Sequence, residues 1–338
     1  MNTDYLCIEP FIRDAMSARL LQSAFELGVI DRLAGPDGCS RSQLFRRLPV
    51  DEAGGRFLLE VLESASVLQA ASDQVILTES FRATLAFRDL LLTKLQFAQL
   101  LAGDFLSALP QLLQSADDFM QSSTLFELFD YSRCGEVNAE NCVRTARWMQ
   151  LTTALTRYEG PVCCDHFDFA ASRRMLDLGG NSGEFAVQVC RRHPQLQVTV
   201  GDLPVVCHVG QQHIADQPEA ARIQFQPMHF LRDPFPAGFD LISFKSVLHD
   251  WPEEATAMLL QKCRDRLPPG GRLLIFERAA VDFRRHPLSY GQLPVLLFFR
   301  SYRHAETYTD LLNRAGFSDI RGSMVSLDVP FLVISASV

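Results

Sequence analysis

The pattern of apolar and polar positions changes midway along the chain. From residue 173 onward, short apolar runs alternate with amphipathic segments, which predicts strands and helices in turn. The predicted strands are 173–178, 197–201, 222–226, 239–244, 272–276, 319–325 and 331–337, and the predicted helices are 184–192, 204–215, 252–266 and 306–315. This alternation is typical of an α/β fold with a doubly wound parallel sheet, which binds ligands at the carboxyl ends of its strands.

The first part of the chain combines helical periodicity with a weak strand pattern. Apolar positions three or four apart predict a helix over 10–27. Ser40 and Asp51 stand where the N-caps of two further helices are expected, and residues 74–77 alternate as a short strand does. Short helices followed by a small β-wing outline a winged-helix module.

Residues 86–129 are more apolar than one helix of a small module requires. The apolar positions at helical spacing are Leu90, Leu91, Leu95, Phe97, Leu100, Leu101, Phe105, Leu109 and Leu112. A dimer interface explains this surplus, because exposed patches of that size are uncommon on monomers. The alternative is that these helices cover the second domain. A helix from about 137 to 158 connects the two predicted domains, 1–158 and 159–338.

A glycine-rich loop follows the first predicted strand of the second domain. The loop carries Gly179, Gly180 and Gly183, and it leads directly into a helix. Bare backbone beside a helix N-terminus allows a nucleotide-like ligand to approach closely, and Asp202, after the next strand, stands where a ribose diol is normally held. The alternative is an ordinary strand-to-helix turn.

The spacing of the loop narrows the kind of ligand. A dinucleotide fingerprint requires glycine where Asn181 and Glu184 stand, and the Lys-Ser or Lys-Thr pair of a phosphate-binding loop does not follow. A ligand with a ribose and no pyrophosphate fits better. S-adenosylmethionine is the common ligand of that kind.

Further polar residues fall at or just beyond the predicted strand ends. Asp177, Lys245 and Glu277 join Asp202 there, which predicts one shared crevice. The pair His249-Asp250 follows strand 239–244 and precedes a helix that opens with Pro252. A His-Asp pair at this place is suited to proton transfer or to metal binding. The alternative is a helix-initiating turn with a satisfied histidine.

Composition excludes several classes of protein. A length of 338 residues suggests two domains, and the formal net charge of −8 argues against a nucleic-acid or anionic-membrane partner. The apolar runs are too short for a membrane span, and the segment Met1–Tyr5 is acidic where a signal peptide is basic. Nine scattered cysteines without a Cys-x-x-Cys pair predict reduced thiols in a cytoplasmic protein.

Taken together, these motifs resemble the plant caffeate-type and bacterial small-molecule O-methyltransferases, a class I S-adenosylmethionine-dependent family. The matching segments are Leu176–Gly180 with Gly183, Gly201–Pro204, Lys245 before His249-Asp250-Trp251, Pro269–Leu273, Glu277, Ala315–Phe317, and, in the first half, Ala24–Gly28 and Leu77-Thr78. The resemblance implies a Rossmann-like methyltransferase domain after a mainly helical winged-helix dimerisation domain. It also implies a homodimer and a small-molecule acceptor.

The resemblance further implies roles for individual residues. Gly179 would line the methionine part of S-adenosylmethionine, Asp202 would bind both ribose hydroxyls and Lys245 would contact the cofactor. The other positions that match cofactor-binding residues are Asp177, Gly180, Leu203, His229 and Phe230. His249 resembles the general base that takes the acceptor hydroxyl proton, and Asp250 and Glu277 resemble residues that orient it.

Three departures from the family pattern stand out: Asn181-Ser182 where the family often has Gly-Thr, Met228–Phe230, and 301–305. The last of these leaves an alternative open. Met228-His229-Phe230 stands where the family has an acid that contacts adenine, and 301–305 lacks the family's second orienting glutamate. A small branch of the family methylates the carbon beside the carbonyl of α-keto acids with a metal. The metal alternative takes His249, Asp250 and His304 as ligands of a divalent or ferric ion and Arg133 as a carboxylate clamp.

We rank O-methylation first because it is the more common activity. His304 also fits a surface position near a helix start, and Arg133 fits a solvated loop. Two further hypotheses are a winged-helix regulator with a degenerate catalytic fold and a relative that uses the cofactor for hydroxylation or cyclisation.

Overall fold

The computed structural model describes residues 3–124 and 131–338, apart from the side chain of Arg133. The α-helices are α1 (Ala15–Glu26), α2 (Val29–Leu33), α3 (Arg41–Phe45), α4 (Glu52–Ser64), α5 (Glu79–Thr84), α6 (Arg88–Gln114), α7 (Ala116–Ser122), α8 (Ala139–His166), α9 (Glu184–Arg192), α10 (Pro204–Ile214), α11 (Glu253–Arg266), α12 (Leu293–Leu296) and α13 (Ala305–Arg314). The strands are β1 (Cys39–Ser40), β2 (Leu68–Ala71), β3 (Gln74–Leu77), β4 (Arg174–Leu178), β5 (Gln197–Asp202), β6 (Ile223–Pro227), β7 (Leu241–Lys245), β8 (Arg272–Arg278), β9 (Ser318–Ser326) and β10 (Pro330–Ser337).

These elements form two compact units. The helical unit consists of Thr3–Phe119 and Pro287–Leu296, and the sheet unit consists of Met120–His286 and Leu297–Val338. Within the part of the chain that the structure describes, none of the helices combines the length and the hydropathy of a membrane span.

The start of the helical unit differs from the prediction of one helix over 10–27. A 3₁₀ helix over Asp4–Ile12 comes first, and α1 follows. Pro10 has no amide hydrogen to donate, which disfavours a continuous α-helix here. Asp14 then begins α1 by accepting a hydrogen bond from Ser17 N at 2.9 Å.

The caps and the small wing of the helical unit follow the sequence closely. Ser40 forms a capping box with Gln43 at the start of α3, and Asp51 accepts a hydrogen bond from Gly54 N at 2.7 Å at the start of α4. The three strands pair antiparallel in the order β1-β3-β2. The wing strand predicted at 74–77 is β3.

The apolar stretch 86–129 is divided into α6 and α7, and its residues 125–129 lie outside the described part of the structure. α6 bends at Ala108 (φ −131°), two residues before Pro110, whose ring cannot continue the hydrogen-bond ladder. The buried apolar positions are Leu90, Leu91, Leu95, Phe97, Leu101, Phe105 and Leu112. Leu109 is 40% exposed, so the surplus apolar surface is only partly covered.

The sheet unit confirms the predicted α/β doubly wound architecture. Its seven strands lie in the order β6-β5-β4-β7-β8-β10-β9, and the first five of them run parallel. β10 runs antiparallel to both β8 and β9, because β9 and β10 are joined by a short turn that only an antiparallel pair allows.

The strand order places a crevice at the carboxyl ends of β4 and β7. The chain extends the sheet from β4 to β5 and β6 on one side, and from β7 to β8 on the other. Because crossovers between parallel strands are right-handed, α9 and α11 lie on opposite faces of the sheet. The loops after β4 and β7 therefore separate at this point, where ligands bind in open α/β sheets.

The compact units divide at a different place from the boundary expected at residue 158. α8 packs against α9 and α10, which places residues 139–158 in the sheet unit. Buried Met149 meets Val205, Val206 and Val209 of α10 in one apolar cluster. The long helix is thus part of the sheet unit.

Candidate active site

The loop after β4 is a cradle of bare backbone. Gly179 (φ 70°) and Gly183 (φ 78°) adopt left-handed conformations that favour glycine. A Cβ on Gly179 would lie 2.8 Å from Val247 Cγ2, and one on Gly180 would collide with the carboxylate of Asp177. The glycines therefore keep this backbone open and allow a ligand to approach it closely.

Asp177 lies beneath this loop and is buried. Its Oδ1 accepts a hydrogen bond from Ser243 Oγ at 2.7 Å, whereas its Oδ2 is buried and meets no hydrogen-bond partner among the described residues. Burial raises the pKa of Asp177 to about 7, although the bond from Ser243 opposes the shift. An unsatisfied buried carboxylate oxygen is costly, and it is suited to a donor from a ligand.

Asp202 ends β5 beside the same loop. Its Oδ2 accepts a hydrogen bond from Asn181 N at 2.9 Å, and its Oδ1 accepts one from Leu203 N at 2.8 Å. Burial raises the pKa of Asp202 to about 6, although the hydrogen bonds from these two amides oppose the shift. Each carboxylate oxygen has capacity for a second donor, as a pair of ribose hydroxyls would supply.

His229 and Phe230 follow β6 and lie beside Asp202 in the strand order. Met228 N donates to the Asp202 carbonyl at 2.8 Å, which fixes the start of this loop. His229 N donates to Asp233 Oδ2 at 2.7 Å, and its Nδ1 is buried without a hydrogen-bond partner among the described residues. Phe230 packs edge-to-face on Trp251 with ring centroids 5.7 Å apart. His229 thus has a polar atom available at this end of the crevice.

Lys245 ends β7 and is held by α8. Its Nζ donates to Glu159 Oε2 at 2.6 Å and to Thr156 Oγ1 at 3.2 Å. Glu159 also accepts a hydrogen bond from Arg278 at 2.6 Å. The ammonium that the sequence assigned to a cofactor contact is engaged within the protein here.

The turn that carries His249 is held by Glu277 from the end of β8. Glu277 is fully buried, and its Oε2 accepts hydrogen bonds from the backbone N–H groups of Val247 (3.0 Å), Leu248 (3.0 Å) and His249 (3.4 Å). Burial by itself raises the pKa of Glu277, but the His249 charge and these donors place it below its ordinary value. The carboxylate is therefore ionised where it anchors the turn.

The His249 ring is held at Nδ1, and a second carboxylate lies near Nε2. Nδ1 lies 2.7 Å from Glu277 Oε1, and Nε2 lies 3.4 Å from Asp250 Oδ1. Burial alone lowers the pKa of His249, but the charges of Glu277 and Asp250 outweigh it and raise the pKa above the ordinary value. The ring of Phe298 lies 4.9 Å from the imidazole. The three residues predicted to act together, His249, Asp250 and Glu277, are brought together.

Two residues that the sequence did not single out also hold the turn. Arg303, 9% exposed, donates to the Leu248 carbonyl at 2.8 Å and to the Trp251 carbonyl at 2.5 Å. Tyr131 Oη donates to Asp250 Oδ2 at 3.2 Å. Neither Arg303 nor Tyr131 belongs to a recognisable motif, so the sequence gives no signal for these contacts.

The match to a sequence family covers more than half of the chain. The profile of the O-methyltransferase domain matches residues 129–318. The chain belongs to this family. The matched region contains the glycine loop, Asp202 and the His249 turn.

Curated members of the family match shorter stretches. The 3-hydroxy-5-methyl-1-naphthoate 3-O-methyltransferase of Streptomyces sahachiroi is 37% identical over 158 residues, which is 46% of each chain. The human acetylserotonin O-methyltransferase is 32% identical over 178 residues, 52% of this chain and 51% of the relative. The matched stretch thus spans about half the length of these relatives.

Solved structures match over nearly the whole chain. The apo form of the S-adenosylmethionine-dependent methyltransferase SibL has a TM-score of 0.72 at 26% identity and covers 96% of both chains. Human N-acetylserotonin methyltransferase in complex with S-adenosylmethionine has a TM-score of 0.73 at 24% identity and covers 96% of this chain and 94% of its own. The fold of the protein is that of these methyltransferases.

The metal-binding set expected in the alternative is not formed. In residues 3–124 and 131–338, His, Cys, Asp and Glu side chains do not gather in a group of three that could hold a metal ion. His304 is exposed at the N-cap position of α13, which begins at Ala305, whereas His249 is buried. The proposed clamp, the side chain of Arg133, lies outside the described part of the structure.

The segment before α13, which lacks the second glutamate that the resemblance implies, contributes an aromatic ring beside His249. In the segment before α13, Tyr302 is buried and its ring centroid lies 5.2 Å from that of His249. With Phe298, it encloses the imidazole on its apolar side. The histidine is therefore positioned by Glu277, Asp250 and two rings.

Proposed function

We propose that the protein is an S-adenosylmethionine-dependent O-methyltransferase that methylates a hydroxyl group of a small molecule. The observation that carries the proposal is the His249 arrangement at the carboxyl end of β7. Nδ1 is engaged by a fully buried glutamate, and β7 pairs with β4, the strand that the glycine loop follows. Family membership supports the reaction class.

The residues of the crevice fit S-adenosylmethionine. The bare backbone at Gly179 and Gly180 admits a ligand, and Asp177 Oδ2 offers an acceptor without a partner among the described residues. Asp202 is placed to accept the two ribose hydroxyls. His229 and Phe230, at the end of the neighbouring strand, are proposed to hold the base. Bound S-adenosylmethionine would supply a methyl group on a positively charged sulfur.

His249 is proposed to act as the general base. The ionised Glu277 accepts from Nδ1–H, which leaves the lone pair of Nε2 to take the proton of an acceptor hydroxyl. As the imidazolium forms, Glu277 and Asp250 Oδ1, 3.4 Å from Nε2, stabilise its charge. The acceptor oxygen must also be aligned with the methyl group, and we propose that the residues at the strand ends hold both in place.

For the acceptor, we propose a hydroxyl on an aromatic ring. The relative from Streptomyces sahachiroi is named for 3-O-methylation of a hydroxynaphthoate. A phenol with a pKa of about 10 transfers its proton to a histidine more readily than an alcohol does. Other aromatic secondary metabolites with a hydroxyl share this chemistry.

The test is methyl transfer by the intact protein. We expect S-adenosylhomocysteine and a methyl ether from S-adenosylmethionine and 3-hydroxy-5-methyl-1-naphthoate or a related hydroxylated aromatic acid. His249→Ala should lower turnover by about 10²- to 10⁴-fold because the base is lost, with cofactor affinity unchanged in calorimetry. His208→Ala, which removes an exposed histidine of α10, is the control. Normal turnover in His249→Ala would rule out the assigned role.

We also propose that the protein forms a homodimer through the helical unit. Leu106, Leu109 and Leu113 of α6 are 90%, 40% and 60% exposed. Leu109 and Leu113, which follow the bend at Ala108, lie one helical turn apart. Leu106→Glu with Leu113→Glu should yield a monomer in light scattering, whereas Gln96→Glu should leave the mass unchanged. A monomeric unmodified protein would contradict the proposal.

The compartment is proposed from the cysteines. Burial raises the pKa of Cys190 to about 11 and of Cys207 to about 12. Unreactive, buried thiols are typical of the cytoplasm, where we place the protein.

A further inference from the structure

One buried carboxylate on α8 neutralises two cations at the strand ends. The side chain of Glu159 is 7% exposed, and its Oε2 and Oε1 accept hydrogen bonds from Lys245 and Arg278, each at 2.6 Å. Lys245 ends β7 and Arg278 ends β8. Burial by itself raises the pKa of Glu159, but these two cations lower it below the ordinary value. The carboxylate is therefore charged.

Arg278 connects this charge cluster to the turn before His249. Its second branch donates to Ser246 Oγ at 3.0 Å. Ser246 has φ 53°, a left-handed conformation that side chains other than glycine adopt only when their surroundings hold them. Ser246 N also donates to the Phe276 carbonyl at 2.9 Å. The arginine thus holds a strained residue three positions before the histidine.

Glu277 and Arg278, neighbours at the end of β8, both contact the segment 246–249. Successive side chains of a strand point to opposite faces, so Glu277 and Arg278 diverge. Glu277 binds the amides of 247–249, and Arg278 binds the side chain of Ser246. Glu277 has the histidine as its counter-charge, whereas Arg278 depends on Glu159.

Removal of the Glu159 charge would leave two buried cations uncompensated. Breaking a buried ion pair from one side is strongly unfavourable, because the remaining charge keeps its desolvation cost. Arg278 would then reorient toward Asp328, another charged neighbour. This movement withdraws the contact to Ser246, the residue that precedes the histidine turn.

We propose that Glu159 is a positioning residue for His249, acting through Arg278 and Ser246. This inference rests on the proposed function, since it assigns to α8 the task of fixing the base. Glu159 does not act on the reacting atoms, and Lys245 serves as the second cation of the cluster.

Glu159→Gln tests the proposal, because it keeps the shape and removes the charge. We expect kcat to fall about 10- to 100-fold, since small displacements of a base have effects of that size. Glu159→Asp should restore part of the loss. Glu219→Gln is the matched control, because Glu219 is a buried glutamate paired with Arg191 at 3.0 Å near the far end of α10. It should keep normal kcat.

A spectroscopic readout separates this inference from the proposed function. The Nδ1–H···Glu277 bond should give a low-field imidazole proton resonance, assigned by its loss in His249→Ala. Glu159→Gln should shift or broaden this resonance in the protein without acceptor, and Glu219→Gln should not. An unmodified protein that shows no methyl transfer would count against the proposed function alone.

A double substitution keeps the proposal testable if Glu159→Gln is poorly stable. Arg278→Gln should lower kcat to a similar extent, and Glu159→Gln with Arg278→Gln should be no worse than either alone, because both break one connection. An unshifted imidazole resonance with normal kcat in Glu159→Gln, or additive losses in the double variant, would overturn the proposal.

Discussion

At the scale of single residues, the crevice contains several buried carboxyl groups, and their pKa values are shifted in different directions. Glu277 is charged because donors and a histidine surround it, whereas burial raises the pKa of Asp177 to about 7 and of Asp202 to about 6. A raised pKa in the folded state means that the folded protein binds protons more tightly than the unfolded chain. The two aspartates therefore make the ligand-free protein sensitive to pH.

Asp177→Asn should stabilise the ligand-free protein at pH 8. The pKa of Asp177 rises from 3.8 to about 7, so its stabilising contribution is complete below about pH 4 and is lost as the pH rises through 7. The gain in the variant is about 4 kcal/mol at most and shrinks toward pH 5. Thermal unfolding between pH 5 and 8 measures it, with the exposed Asp216→Asn as control. A difference that grows toward low pH would contradict this assignment.

Asp250→Asn should move the acid limb of kcat/KM to lower pH. A base must be neutral to act, so activity falls when His249 is protonated. The charges of Glu277 and Asp250 raise the pKa of His249 above 6.5, and removal of one charge lowers it. The pH profiles of the two enzymes, measured with the same acceptor, test this. An acid limb that stays in place would show that another group controls it.

At the scale of elements, the turn over Leu248–Asp250 is held by side chains from two other segments of the chain. Glu277 takes its amide donors, and Arg303 takes the carbonyls on either side of the His-Asp pair. A 3₁₀ turn of three residues has few hydrogen bonds of its own. Its position thus depends on side chains from β8 and from the segment before α13.

Arg303→Met should destabilise the protein because two buried carbonyls lose a charged donor. Each such bond contributes about 1.5–3 kcal/mol, so we expect a fall in Tm of about 5–10 °C. Arg303→Lys should recover part of it, since an ammonium lacks the fork that reaches both carbonyls. Arg321→Met, at an exposed position of β9, is the control in calorimetry. An equal fall in both methionine variants would mean that the carbonyl contacts contribute little.

At the scale of the whole molecule, cofactor binding should stabilise the fold in a pH-dependent way. A ligand that binds only the folded state stabilises it by about 2.7 kcal/mol at 100 times its Kd. Asp202 must be ionised to accept ribose hydroxyls, so the increase in Tm from S-adenosylmethionine should become larger as the pH rises through about 6. Asp202→Asn should show a smaller increase without this pH dependence. A constant increase across pH 5 to 8 in the unmodified protein would exclude Asp202 as the ribose ligand.

The amino-acid sequence by itself determined the sheet unit almost completely. Apolar runs and glycine or proline boundaries located all seven strands and the four helices of its second half, because local periodicity and capping act over a few residues. Motif spacing also found His249, Asp250 and Glu277, since each follows a strand whose carboxyl end is recognisable. The bend at Ala108 and the break after Ile12 were missed, although Pro110 and Pro10 mark them.

Only the tertiary structure decided which side chains hold the site. Glu159 on α8 lies 86 residues from its partner Lys245 and 119 residues from its partner Arg278. Arg303, before α13, lies 55 residues from its contact Leu248 in the His249 turn. His304, which the sequence allowed as a metal ligand, is exposed at the N-cap position of α13. Long-range pairs of this kind leave no periodic pattern along the chain, since charge compensation in a buried site depends on packing and not on spacing.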